Sequence, residues 1–130
     1  MPDSQDELPI FSDGGRGPAL HSDSSLSAAV RAWGEDLEQA GRSIHTVKAF
    51  TGDVRLLARF LGAGHALNAI GTHDLKNFLD WMLTRRGVPC SPKTYARRVT
   101  SLKAFFRWLA HSGVLPDDPA APVAQQTVLS

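Results

Sequence analysis

Four glycines punctuate the middle of this chain. Apolar residues recur at the spacing of one helix face in four consecutive segments, and Gly41, Gly62, Gly87 and Gly113 stand just past the end of each. No stretch alternates apolar and polar residues as a half-buried strand would. The pattern predicts an all-α fold, a bundle of four short helices with connections of ordinary length.

The first segment places Leu26, Val30, Trp33 and Leu37 on one face, with Ser24 or Ser25 as cap. Gly34 inside it suits a close helix contact. The second runs from Ser43, its cap, with a stripe of Val47, Phe50, Val54, Leu57 and Leu61. In the third, Thr72 is the expected cap, Asp74 suits the first turn, and Leu75, Phe78, Leu79, Met82 and Leu83 are expected to face inward. The fourth opens with Ser91 as cap and Pro92 at the first helical position. Residues 1–24 are rich in Gly, Pro, Ser and Asp without periodicity, and read as a disordered acidic arm. Residues 25–115 then form the bundle. After Gly113, LPDDPAAPV carries three prolines, so 116–130 read as an extended connector leaving it.

The overall charge of +1 hides a strong asymmetry. Residues 1–24 carry five acids against Arg16, a net of −4, whereas residues 42–107 carry twelve Lys/Arg against three Asp, a net of +9. A basic domain behind an acidic arm suits a polyanionic partner. One cysteine, Cys90, offers neither a disulfide framework nor a metal quartet, and the five histidines are scattered. No metal and no cofactor are expected, and the expected setting is the reducing cytoplasm. No apolar run approaches the roughly 20 residues of a membrane span.

On the fourth segment Val99, Leu102, Phe106 and Leu109 share one side, joined by Tyr95. The other side carries Lys93, Arg97, Thr100 and Arg107 around the small Ala104, with no acid in the whole segment. A solvated helix face usually mixes both signs; segregated cations suit phosphate contacts. The second segment repeats the design with Lys48, Arg55 and Arg59, and His45 at the edge, while Asp53, its one acid, is expected to project to the flank. Gly52 on that face reads either as a neutral surface glycine or as a point of close backbone approach. Ser43, Thr46, Ser91 and Thr94 stand near the two helix starts, where hydroxyls cap and also suit phosphate oxygens. Trp81 and Trp108 flank the apolar stripes, where they could contact a partner protein.

Two motifs resemble a known family. Residues 43–61, S-x-x-T-V-x-x-F-x-x-D-V-x-x-L-A-R-F-L, and residues 91–120, S-P-K-T-Y-A-R-R-V-T-S-L-K-A-F-F-R-W-L followed by G-V-L-P-D-D-P-A, are similar to elements of the tyrosine recombinases, the phage-integrase family. The resemblance spans roughly residues 24–120. It implies the N-terminal core-binding domain, a SAM-like four-helix bundle that closes on double-stranded DNA together with a separate catalytic domain and other recombinase protomers. Its second and fourth helices face the major groove. Thr46, Lys48, Lys93, Arg97 and Thr100 match positions that commonly face DNA. Thr51 and Gly52 depart from the family, where relatives often carry basic residues.

Family members cut DNA with a tyrosine in their C-terminal domain. No His-x-x-Arg element with a following tyrosine occurs here, and Tyr95, the single tyrosine, lies with the core stripe. A fragment without catalytic residues is therefore expected. Two other readings stand beside a DNA-binding module. One is a protein-interaction bundle. The other is a free regulator with a compact helix-turn-helix, for which the link 62–71 is too long.

Overall fold

The computed structural model describes residues 20–125. Four α-helices form in this order: α1 (Leu26–Gln39), α2 (Ile44–Leu61), α3 (Thr72–Thr84) and α4 (Pro92–His111), with one 3-10 turn at Leu67–Ala69 before α3. Among the described residues there is no strand, only an isolated bridge between Ser25 and Ala66. The chain is the all-α bundle of four short helices that the periodicity predicts. The four punctuating glycines take φ of 84°, 109°, 84° and 80°, a left-handed region where only glycine is unstrained.

Side chains fix the helix starts. Ser25, Ser43 and Ser91 each accept a backbone N–H from three residues on. At α3 the expectation fails by one residue. Gly71 is the cap, because the Asp74 carboxylate reaches back to accept its N–H at 2.9 Å. Thr72, freed from capping, donates instead to the Pro119 carbonyl at 2.6 Å.

α2 packs against both α1 and α4, and the core lies between them. Phe78, Phe105, Phe106, Leu57 and Leu75 are fully buried. Trp33 stacks on Phe50 at 5.9 Å and meets Phe105 at 5.3 Å. Gly34 permits the close α1–α2 approach, since a Cβ there would sit 3.3 Å from Thr51 Cγ2. Leu83 does not face inward. It is 54% exposed, close to the end of α3 where the chain turns away.

Both ends of the bundle depart from the expected boundaries. The acidic arm falls largely on residues 1–19, outside the described residues. Residues 22 and 24 already belong to the fold: their carbonyls accept the N–H groups of Asn68 and Leu67. After α4 the chain does not leave. Leu115, Ala120 and Val123 are buried in the same core. Lys103 Nζ donates to the carbonyls of Ala120, Ala121 and Val123 at 2.9, 3.3 and 2.6 Å. Prolines prevent a helix here, but they do not prevent an irregular strap from docking through its apolar side chains and carbonyls.

Candidate nucleic-acid interface

α2 and α4 lie side by side, and each turns a basic stripe outward. On α2, His45, Lys48, Gly52, Arg55 and Arg59 are exposed; on α4, Lys93, Arg97, Thr100 and Arg107 are. The stripes exist because the opposite faces are taken by the core: Val47, Val54 and Leu57 on α2, and Val99, Leu102, Phe106 and Leu109 on α4.

The two helix starts are near copies of each other. Ser43 Oγ accepts Thr46 N–H at 3.1 Å and donates to Thr46 Oγ1 at 3.0 Å; Ser91 does the same to Thr94 at the same distances. Each serine hydroxyl is consumed by its cap. The Thr46 and Thr94 hydroxyl hydrogens remain for an outside acceptor, beside helix N-terminal amides that favour anions. Thr100 differs. It donates to the Ala96 carbonyl at 3.1 Å and accepts from Gln125 Nε2 at 2.8 Å, so its hydroxyl is turned to the protein. Arg55 Nη1 rests on Thr51 Oγ1 at 3.2 Å.

One acid links the stripes. Asp53 does not project to the flank; it is 4% exposed and faces α4. Arg97 approaches it with Nη2 at 2.6 Å and Nε at 3.1 Å, and Ser101 Oγ donates at 2.6 Å. The hydrogen bond to Asp53 raises the Arg97 pKa above its ordinary value, so this guanidinium is a permanent charge. The sequence held the signal. Phe50, Asp53, Val54 and Leu57 share the i, i+3, i+4, i+7 spacing of an inward face. Arg98 and Lys103, basic residues outside the stripe, are spent within the fold: Arg98 on Asp53, Met82 and Cys90, and Lys103 on the strap.

Tyr95 is half-buried against the core, and burial raises its pKa. That is the opposite of what a nucleophilic phenolate needs. Trp81 packs on Phe60 at 5.2 Å, and Trp108 lies 6.4 Å from Phe105. Both are half-buried at the fringe of the core.

Residues 30–113 match the family described as phage integrase, N-terminal SAM-like domain. The chain belongs to that family. Among similar proteins, tyrosine recombinase XerC of Mycobacterium tuberculosis is 38% identical over 95 residues, covering 69% of this chain and 31% of the relative. Tyrosine recombinase XerC of Rhodospirillum centenum is 33% identical over 108 residues, covering 75% of this chain and 31% of the relative. The chain thus spans about a third of the length of the curated relatives it matches. The integrase from mycobacterium phage Brujita shares the fold with a TM-score of 0.67 at 20% identity, covering 80% of this chain and 34% of that one. Among the described residues, no helix is long and apolar enough to cross a membrane.

Proposed function

We propose that this chain is the DNA-gripping module of a site-specific tyrosine recombinase. It holds duplex DNA at recombination half-sites in the cytoplasm, while a catalytic domain of the same parent protein and neighbouring protomers carry out strand exchange. The observation that carries this is the pair of adjacent basic stripes on α2 and α4, in a chain of the integrase family. Lys48, Arg55, Arg59, Lys93 and Arg107 meet phosphates and release counterions. Thr46 and Thr94 donate to phosphate oxygens at the helix starts. The module does no chemistry itself.

An NMR titration with a short duplex tests this, run at low and at physiological salt. Shifts should concentrate in residues 43–59 and 91–107 and fade steeply with salt. A protein-interaction module is the second reading, favoured by Leu83 and Val88, which are 54% and 53% exposed at the α3–α4 turn. Silence of α2 and α4, with signals near Trp81 or Trp108 broadening as protein concentration rises, would select it.

A further inference from the structure

A carboxylate buried at the seam of two basic helices is costly unless it is fully paired. Asp53 is paired by two arginines that meet different fates. Arg98 lies inside, its side chain 17% exposed; its Nε stands 3.6 Å from Asp53 Oδ1, too far for a hydrogen bond, and contributes charge alone. Arg97 lies outside, its side chain 47% exposed, and gives Asp53 only its Nε–Nη2 edge. The hydrogens of Nη1 and the second hydrogen of Nη2 remain on the far edge of the guanidinium.

We infer that Asp53 is a positioning residue that holds Arg97 to read a guanine edge in the major groove; this rests on the DNA-gripping function proposed above. An exposed arginine swings on several rotatable bonds, and a two-point contact to a buried acceptor removes most of that freedom before DNA arrives. The Nη1–Nη2 fork that remains matches O6 and N7 of guanine. A phosphate contact needs positive charge and little orientation, and Lys93 and Arg107 supply that on the same helix with no ion-pair or hydrogen-bond partner among the described residues. For phosphate binding, a carboxylate behind Arg97 is a handicap, because it cancels part of the attraction. The arrangement gives up affinity and gains orientation.

The test is selection from a pool of duplexes with a randomised central stretch. Affinity for one fixed, unselected duplex is measured in parallel across salt. The wild-type chain should enrich one guanine by roughly tenfold over other bases. Asp53→Asn puts an amide NH2 where a carboxylate oxygen accepts, and should erase that enrichment while leaving affinity for the fixed duplex equal or higher. Arg97→Lys keeps the charge and the pairing with Asp53 but has no fork, and should erase the enrichment too. Ser101→Ala removes a bond from the same carboxylate without touching Arg97, and should retain it. Guanine enrichment that survives in Asp53→Asn or Arg97→Lys overturns the inference. So does its loss in Ser101→Ala, or a wild type that binds the pool without enriching guanine. A wild type that fails to bind the pool at any salt sinks the DNA-gripping function itself. Should Asp53→Asn not fold, enrichment that survives in Arg97→Lys, at an exposed position, or that is lost in Ser101→Ala still overturns the inference.

Discussion

Lys93→Glu and Arg97→Glu change the charge of one stripe equally, four residues apart on α4, and should affect stability in opposite directions. Lys93 is exposed, near the start of α4, without an ion-pair or hydrogen-bond partner among the described residues. An acid there complements the helix dipole by about 0.3–1 kcal/mol, so the variant should melt at or slightly above wild type. Arg97→Glu removes two hydrogen bonds from a carboxylate whose side chain is 3% exposed and sets a second carboxylate beside it. Breaking a buried pair costs about 3–5 kcal/mol. Here the loss should be smaller, about 2–4 kcal/mol, because Arg97 is half solvated and Ser101 and Arg98 still attend Asp53. At about 4–8 °C per kcal/mol for a domain of this size, the melting point should fall by roughly 8–32 °C. Circular-dichroism melts at low and high salt measure both effects. The Lys93 gain should fade with salt, and the Arg97 loss should persist. Both variants should bind a duplex more weakly. An Arg97→Glu melt within a couple of degrees of wild type would refute the Asp53 pairing as a stabilising contact.

Gly52→Ala should raise stability by about 1 kcal/mol in urea unfolding, because a Cβ there meets nothing within 4 Å and the site is mid-helix. Lys103→Met keeps the aliphatic stem and removes three donors to the strap; it should cost about 1.5–3 kcal/mol and speed amide exchange in residues 120–123. Tyr95 should titrate above 10.0, read directly as tyrosinate absorbance because the chain has one tyrosine. The folded state holds that proton more tightly than the unfolded one. Its contribution is therefore complete below pH 10.0 and declines as pH rises through the folded value, which denaturant melts across that range would show.

What could be read from the sequence was what is local. Helix period, serine caps and terminating glycines depend on residues within a turn of each other, and they emerge where the spacing puts them. Thr72 misled because Asp74 competes for the same cap, and Thr72's own partner lies 47 positions away. The exposed stripes were legible from the helical wheel, since exposure follows from what the core takes. Arg97's engagement was not legible, because the wheel of α4 carries no acid and the partner arrives from α2, 44 positions earlier. The strap was hidden for a related reason. Its apolar residues lack a regular period, and its anchor is a lysine that looks, in sequence, like one more surface cation.

That strap has a mechanical consequence. Residues 114–123 fold back so that Lys103 grips their carbonyls and Gln125 meets Thr100, midway along α4. A pull on the C-terminus therefore reaches Gln125 and Lys103 first, then Thr72 on Pro119 and the buried Leu115, before any tension enters the last turn of α4. These bonds lie in series along the strap and yield one after another. Strain arriving by that route thus enters α4 at Thr100 and Lys103, in the middle of the helix, and not through its last turn.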